Sequence, residues 1–394
     1  MSKQASQWIV DNVKIVKEDG AAEGSVAVRD GIIEAIWTKE ERPQAEGAES
    51  YEIIDGQGGY LLPGFIDIHV HGGFGGDFME ACTESYEAIT RFHASQGTTG
   101  MLATTVTASK EAIEKVLRAT ADFQAAGMQH AELLGVHLEG PFISEKFPGA
   151  QNPAFISAPQ LGWVKQWAAE YPGLIKQLTL APEKEGAIEL IEWLAANDII
   201  AACGHTDAKY ADMAKAADAG LSHAVHTYNA MRGLHHREPG TLGAVMSDDR
   251  IYAELIADGE HVHPAAIRIL LAAKPSDKVI LISDAISSAG MPDGRYDLGG
   301  LPVIVKDGIA RLEDGVTLAG SSLTMIRAFR YMMDNTKLAI HEVSRLASGN
   351  AAERLGIYDR VGSIAVGKVA NLVWTDAELD INRTWVNGRA VYTK

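Results

Sequence analysis

The sequence is poor in cysteine and in positive charge. Two cysteines among 394 residues, Cys82 and Cys203, cannot build a disulfide framework, so we expect a reducing compartment. Lys and Arg number 35 against 52 Asp and Glu, which gives a formal net charge of -17. So large a negative charge argues against nucleic acid or an anionic membrane as a partner. An anionic substrate would therefore need a local basic pocket.

Long apolar runs are also missing. No stretch of about 18 apolar residues occurs, so we expect no transmembrane helix. Residues 1–16 contain no apolar segment of signal-peptide length. The sequence therefore predicts a cytoplasmic protein. Its length and its hydrophobic content of 46% fit one large barrel with an accessory domain.

Both ends of the chain are patterned as short strands. The predicted strands lie at 8–16, 25–28, 32–36, 369–374 and 384–392. Asp30-Gly31 and Asn387-Gly388 are hairpin turn signals within these segments. We expect the two ends, 1–62 and 356–394, to meet in one small β-sandwich domain.

The middle of the chain alternates short apolar runs with helical patterns such as 110–126 and 207–219. Eight strands that alternate with helices indicate an α/β fold, a (β/α)8 TIM-like barrel, which we place at 63–355. A further strand pair, 302–305 and 308–312, follows the eighth strand. The predicted barrel strands are 64–71, 99–106, 132–139, 177–181, 199–205, 222–226, 251–257 and 278–284.

Ionisable residues collect at the C-terminal ends of these strands, where barrels carry their catalytic groups. Strand one ends in His69 and His71, which share a face because alternate strand residues do. Strand three ends in Glu139 after an apolar run. A buried carboxylate is costly unless it is paired or binds a metal. The ordinary alternative for His69 and His71 is a pair of polar residues at a strand end. The ordinary alternative for Glu139 is a salt bridge.

Strands five and six end in His205 and His226. Together with Glu139 they form a set that suits a divalent ion with an open coordination position, although either histidine alone fits a hydrogen-bonded core residue. His223 lies three residues before His226 and is interpreted as structural. Strand eight ends in Asp284, which is placed to move a proton; a helix N-cap is the alternative.

These residues lie in motifs that resemble the amidohydrolase superfamily and, within it, the N-acetylglucosamine-6-phosphate deacetylases. The resemblance covers nearly the whole chain. HLEGPF with HTYNAM and REPG is specific, whereas H-x-H is shared by many relatives. The motifs are PGFIDIHVHG (63–72), HLEGPF (137–142), GHTDA (204–208), HTYNAM (226–231), REPG (237–240), DGEHV (258–262), SDA (283–285) and LAGSSLTM (318–325).

The resemblance implies hydrolysis of N-acetyl-D-glucosamine 6-phosphate to glucosamine 6-phosphate and acetate, with one or two divalent ions. Zinc or iron is expected first, with manganese or cobalt as alternatives. Lys184 is displaced from the end of strand four, where some superfamily members carry a carboxylated lysine, and receives no role. The implied ligands are Glu139, His205 and His226 for the principal ion, and His69, His71 and Asp284 for a second ion that Glu139 bridges.

The resemblance also implies how substrate is held. Arg237 would grip the phosphate in a bidentate way, although a surface ion pair with Glu238 is the ordinary alternative. His261 would hydrogen-bond the acetyl carbonyl, and Asp284 would carry the proton. A homodimer is expected, in which a neighbour's residue completes the phosphate site; the facing of His235 and His236 stays open. The other implied contacts are Ala150, Gln151, Asn229, Ala230, Leu318, Ala319 and Gly320, and some members carry His in place of Gln151.

Two alternatives remain at this point. Another amidohydrolase, such as a D-amino-acid deacylase or a cyclic-amide hydrolase, would share the barrel and the metal, and only HTYNAM and Arg237 separate it. A catalytically silent scaffold on the same barrel would be expected to have lost metal ligands, which this sequence retains.

Overall fold

The computed structural model describes residues 7–38 and 51–394. Residues 1–6, on which the argument against a leader partly rests, lie outside these ranges. Two eight-stranded sheets organise the described chain, one of them built from both ends and the other forming the barrel. Among the described helices, none combines the length and apolar character needed to cross a membrane.

The elements alternate as the sequence pattern predicts. The strands are β1 (Gln7–Lys17), β2 (Gly20–Arg29), β3 (Ile32–Thr38), β4 (Glu52–Asp55), β5 (Tyr60–Pro63), β6 (Phe65–Val70), β7 (Gly72–Gly73), β8 (Gly76–Asp77), β9 (Thr98–Thr105), β10 (Glu132–Glu139), β11 (Ile175–Leu180), β12 (Ile200–Cys203), β13 (His223–Ala224), β14 (Tyr252–Ile256), β15 (Val279–Ile282), β16 (Gly294–Leu298), β17 (Leu301–Lys306), β18 (Ile309–Leu312), β19 (Leu372–Thr375), β20 (Ile381–Val386) and β21 (Arg389–Thr393). The helices are α1 (Thr83–Ser95), α2 (Lys110–Ala126), α3 (Leu161–Glu170), α4 (Ala187–Ala196), α5 (Tyr210–Asp218), α6 (Gly240–Ser247), α7 (Pro264–Ala273), α8 (Met325–Asn335), α9 (Ile340–Ser344) and α10 (Asn350–Arg354).

The sheet from the two ends runs in the order β21-β20-β19-β5-β1-β2-β3, with β4 paired to β1. Its turns at Asp30-Gly31 and Asn387-Gly388 have positive φ at both residues, as two-residue hairpins of type I′ require. Trp8 on β1 stacks on Trp385 on β20 with ring centroids 4.7 Å apart, so the two chain ends pack together. The predicted β domain from both chain ends is thereby confirmed.

The second sheet is a barrel of eight parallel strands, ordered β6-β9-β10-β11-β12-β13-β14-β15. Asp67 joins the last strand to the first, because its buried carboxylate accepts hydrogen bonds from Oγ of Ser283 at 2.5 Å and from its backbone N at 3.3 Å. Burial raises the pKa of Asp67 to about 7, although these bonds lower it. One residue later, the N of Asp284 donates to the carbonyl of His69 at 2.9 Å. The predicted (β/α)8 barrel is confirmed.

Every predicted barrel strand is present, with bounds that differ at the ends. The sixth is shortest, only His223–Ala224, because the chain leaves the extended conformation at His226, where φ is 30°. Helix α2 coincides with the predicted 110–126, and Ser109 caps it by accepting from the N of Ala112 at 3.3 Å. With β5 ending at Pro63 and β6 beginning at Phe65, we propose the division predicted from the sequence, 63–355 for the barrel; residues 39–50 lie outside the described ranges.

A small antiparallel sheet, β16-β17-β18, follows the barrel and adds one strand to the predicted pair. Its apolar face packs on Val106 and Ile286, which lie just beyond the ends of β9 and β15. This contact brings Leu298 and the segment 316–320 to the mouth of the barrel, where they line a cavity.

Candidate active site

A cavity of about 510 Å³ opens at the C-terminal ends of the barrel strands. Its floor carries the predicted ionisable residues and its walls come from the loops after β10, β13 and β18. The lining residues are His71, Glu139, Lys146, Phe147, Pro148, Gly149, Ala150, Gln151, His205, His226, Asn229, Ala230, His261, Asp284, Leu298, Val316, Thr317, Leu318 and Gly320.

The carboxylate of Glu139 stands at the centre of this floor. Its Oε1 lies 3.2 Å from Nε2 of His205, 3.0 Å from Nε2 of His226 and 3.3 Å from Nε2 of His69. Its Oε2 lies 3.4 Å from Nε2 of His71. Five residues from four strand ends thus converge on one another, as their places in the sequence predict.

Asp284 closes the cluster from the last strand. Its Oδ1 lies 3.2 Å from Nε2 of His71 and 3.6 Å from Nε2 of His69. Asp284, His205 and His226 all have left-handed backbones, with φ of 51°, 49° and 30°. Such conformations cost about 1–3 kcal/mol each and gather at functional sites. The chain bends sharply at these strand ends and aims the side chains into the cavity.

The donor set fits a divalent metal. Nε2 of His69 is buried and makes no hydrogen bond to the described residues. Ligand atoms of His69, His71 and Asp284 lie within 4.8 Å of one another, and so do those of His69, Glu139 and His226. Imidazole nitrogens and carboxylate oxygens in a buried site suit zinc, iron, manganese or cobalt.

The buried carboxylates of this site need positive charge nearby. Burial alone would raise the pKa of Glu139, but His69 and His205 hold it well below its usual range. Burial alone would lower the pKa of His69, but the charges of Glu139 and Glu254 raise it well above its usual range. Burial likewise opposes protonation of His71, yet Asp284 and Glu139 raise its pKa to about 9. A divalent cation would satisfy the carboxylates in place of these protons.

His261 lies on the cavity wall, and Asp258 holds it. Nδ1 of His261 lies 2.6 Å from Oδ2 of Asp258, and its backbone N donates to Oδ1 at 2.9 Å. Burial opposes the charged imidazole, but the bond to Asp258 keeps the pKa of His261 above its usual value. Since Asp258 takes Nδ1, the Nε2 edge is left for a ligand.

Gln151 contacts the carboxylate of Glu139 directly. Its Nε2 donates to Oε2 of Glu139 at 2.5 Å, and its Oε1 accepts from the N of Thr107 at 2.6 Å. The next residue, Asn152, donates to the carbonyl of Gly299 at 3.1 Å and ties this loop to the small antiparallel sheet. Of the other predicted contacts, Ala319 is buried behind the wall rather than lining it.

Arg237 lies apart from the cavity of its own chain. It sits on an exposed loop, where Nη1 lies 2.8 Å from Nε2 of His236. Glu238 accepts instead from the N of Tyr210 at 2.9 Å, and no ion pair joins it to Arg237 among the described residues. Lys146 is the one Lys or Arg among the described cavity-lining residues, with Nζ 2.8 Å from Asp207.

Sequence reasoning missed Glu254 and Lys146. Glu254 lies within β14, fully buried behind the candidate metal site, where His69 and His223 contact it. A charged residue in the middle of the apolar run 251–257 was the available signal. Lys146 follows HLEGPF by four positions, in a loop whose path no local pattern fixes.

Comparisons with known proteins agree with this geometry. Residues 60–391 match the amidohydrolase family. The chain is 42% identical over 392 residues to the N-acetylglucosamine-6-phosphate deacetylase of Bacillus subtilis (strain 168), covering 98% of both chains. It is 36% identical over 377 residues to the N-acetylgalactosamine-6-phosphate deacetylase of Escherichia coli O157:H7, covering 95% of this chain and 97% of that one.

A solved structure of a deacetylase is also similar to this chain in fold. An aspartate-to-alanine mutant of N-acetyl-D-glucosamine-6-phosphate deacetylase from Mycobacterium smegmatis, in complex with N-acetyl-D-glucosamine-6-phosphate, superposes with a TM-score of 0.92. Its sequence is 31% identical, and the match covers 98% of this chain and 100% of that chain.

Proposed function

This chain belongs to the amidohydrolase family, and we propose that it removes the acetyl group from N-acetyl-D-glucosamine 6-phosphate by metal-dependent hydrolysis. The observation that carries the proposal is the convergence of His69, His205 and His226 on one oxygen of Glu139, with Asp284 beside them. The relatives named above support the substrate class, and they do not favour a D-amino-acid deacylase or a cyclic-amide hydrolase.

The metal would be held by the predicted residues. Glu139, His205 and His226, which contact one another, would hold the principal ion, and the group of His69, His71 and Asp284 a second one. A bound divalent ion, zinc or iron in the first place, supplies the Lewis acidity that makes a water nucleophilic at neutral pH and polarises the amide carbonyl.

The proton is carried by Asp284. Its carboxylate faces the cavity beside His71, within reach of a water that attacks the acetyl carbon. The carboxylate takes the proton of that water and returns it to the nitrogen as the C–N bond breaks, which releases acetate and the free amine. His261, oriented by Asp258, donates a hydrogen bond to the carbonyl oxygen as negative charge develops there.

The phosphate end would lie against the wall formed by Asn229, Ala230 and Lys146. Lys146 offers an ammonium group from the same chain, with three quarters of its side chain exposed at the cavity mouth. Arg237 does not line the cavity of its own chain; in a homodimer it would enter the cavity of the partner. A guanidinium contributed in this way would add bidentate recognition of the phosphate.

The configuration of the sugar, gluco or galacto, is a separate question. The relative in Escherichia coli O157:H7 acts on N-acetylgalactosamine 6-phosphate and shares 36% of its residues with this chain. The identity to the Bacillus subtilis relative is higher, at 42%, which favours the gluco configuration. Parallel assays of both sugar phosphates decide between them.

The test is acetate release from N-acetylglucosamine 6-phosphate, from its galacto epimer and from unphosphorylated N-acetylglucosamine, each with and without a chelator. We expect fast, chelator-sensitive release from the phosphorylated gluco sugar and slow release from the unphosphorylated one. A protein that holds metal yet releases acetate from none of these sugars would refute the proposed substrate. N-acyl-amino acids and cyclic amides would then be assayed.

A further inference from the structure

Behind the metal site lies a second buried carboxylate, that of Glu254 on β14. Its Oε2 lies 2.8 Å from Nδ1 of His69 and 3.3 Å from the backbone N of His226. Its Oε1 lies 2.8 Å from Nε2 of His223 and 3.0 Å from Nε2 of Gln177. Glu254 has no exposed surface, so its carboxylate depends on these four contacts rather than on solvent.

All four neighbours of this carboxylate donate. The amide nitrogen of Gln177 and the backbone N of His226 are donors by chemistry, and a buried carboxylate is stable only when such bonds satisfy it. The imidazole of His69 therefore carries a proton on Nδ1. Its other nitrogen, Nε2, is then free to present a lone pair to the cluster around Glu139.

The other histidines of the site differ from His69 in this respect. Nδ1 of His205 is held by a neutral carbonyl, that of Phe147, at 3.1 Å. The Nδ1 atoms of His71 and His226 are buried and make no hydrogen bond to the described residues. Among these four rings only His69 has a charged group at Nδ1, the nitrogen that faces away from Glu139. A carboxylate at that nitrogen both fixes a ligand ring and raises its basicity.

We propose that Glu254 is a positioning residue that locks His69 with its Nε2 lone pair toward the cavity and thereby strengthens binding of the ion held by His69, His71 and Asp284. The inference rests on the metal requirement of the proposed function, but not on its substrate. It gives a role to a charge inside an apolar strand, where a buried ion pair would otherwise add little stability.

The test is the affinity of metal-free Glu254→Gln for Zn²⁺, measured against a competing chromophoric chelator so that each ion is followed separately. The glutamine side chain keeps the shape and an acceptor for His69 but removes the charge. We expect the second ion to bind about 10–100-fold more weakly, as loss of such a partner to a metal ligand does elsewhere. The first ion should bind with nearly unchanged affinity.

Glu254→Asp restores the charge on a shorter side chain and should bind the second ion more tightly than Glu254→Gln. His223→Gln is the matched control, because it changes the same buried cluster but still offers Glu254 an N–H donor. Its two ion affinities should equal those of the wild type. In a His69→Asn background, Glu254→Gln should have no further effect on the second ion, since the ring it acts through is gone.

A lower melting temperature of the metal-free Glu254→Gln protein with both affinities unchanged would overturn the inference and leave Glu254 a packing residue. A wild-type protein that holds a single ion at every Zn²⁺ concentration would also overturn it. These readouts do not depend on substrate, so failure to deacetylate any sugar phosphate would refute the proposed function while the difference in affinity still stood.

Discussion

Nε2 of Gln151 lies 2.5 Å from Oε2 of Glu139, while the other end of the same amide accepts from the N of Thr107 at 2.6 Å. The loop that lines the cavity is thus attached to the oxygen of Glu139 that faces His71. A bond to a charged acceptor of this kind contributes about 1.5–3 kcal/mol. The position of the loop and the orientation of the Glu139 carboxylate are therefore coupled.

We expect Gln151→Ala to lower kcat/KM by about 10-fold or more, because the loss of this charge-assisted bond frees both Glu139 and the loop. Steady-state kinetics on the phosphorylated sugar, together with metal content, would measure it. Asn152→Ala is the control, since it loosens the same loop without touching Glu139. An equal loss in both variants would show that loop order alone matters.

Asp284→Asn should bind substrate but lose nearly all turnover, because the amide can neither take the proton of water nor return it to the amine. Calorimetric binding and acetate release would be measured on the same preparation, with metal content determined first. Retention of more than a few per cent of wild-type turnover in metal-loaded protein would remove Asp284 from the proton path.

Lys146→Ala should lower turnover of the phosphorylated sugar by about 10-fold, because the variant lacks the ammonium group that would bind the phosphate. The effect should not be larger, because solvent screens the charge of an exposed side chain. The unphosphorylated sugar should be affected little, since it offers no anion to this side chain. Lys165→Ala, a change at an exposed position of α3, is the matched control. An equal effect on both sugars would exclude a phosphate contact for Lys146.

Arg237→Ala should also lower turnover of the phosphorylated sugar alone, and in the proposed homodimer it should affect the site of the partner subunit. Mixing Arg237→Ala subunits with inactive Asp284→Asn subunits would create one complete site in each mixed dimer. For random pairing in a two-fold dimer, activity should rise to about a quarter of the wild-type value. No recovery in dimers shown to exchange subunits would place Arg237 in its own chain's site.

The imidazole of His93 gives a prediction on pH. It is buried and lies 2.9 Å from the carbonyl of Gly72, and burial lowers its pKa to about 4 from 6.5. Between these values the unfolded chain binds a proton that the native chain excludes, so stability falls as pH decreases from 6.5 to 4. The loss amounts to about 3 kcal/mol.

Urea unfolding of metal-free protein from pH 7 to pH 4 would test this prediction. His93→Gln, which keeps an N–H donor for Gly72 but cannot titrate, should lose less stability over the same range. Parallel pH profiles for the wild type and the variant would show that His93 is not the group responsible.

The sequence predicts most of the barrel because its strands and helices have local periodicity. His69, Glu139, His226 and Asp284 could be found in the same way, since each ends an apolar run and strand ends meet at one face of a barrel. Short strands such as Glu52–Asp55 carry too little pattern to be recognised. The convergence of these residues at the barrel mouth therefore follows from strand ends alone, without the small antiparallel sheet that covers it.

Contacts that depend on loops or on the interior of the barrel were beyond the sequence. Gln151 reaches Glu139 only because its loop folds back over the cavity, and Glu254 reaches His69 only because closure of the barrel places β14 two strands from β6, with β15 between them. Arg237 could be assigned to phosphate by its motif, but the direction of its loop depends on tertiary structure. No periodicity encodes these distances.

The contact between Asp67 and Ser283, which closes the barrel, has a consequence for the order of events during synthesis. His69, a proposed ligand, lies on the first barrel strand and Asp284 just after the last, so two neighbours in the site are separated by more than half of the chain. A ribosome must deliver residues beyond 284 before the ring can close and the proton carrier can meet its partners. A chain that ends before residue 284 would contain every histidine of the site but not the proposed proton carrier. Catalytic activity would therefore require that synthesis has passed the last barrel strand.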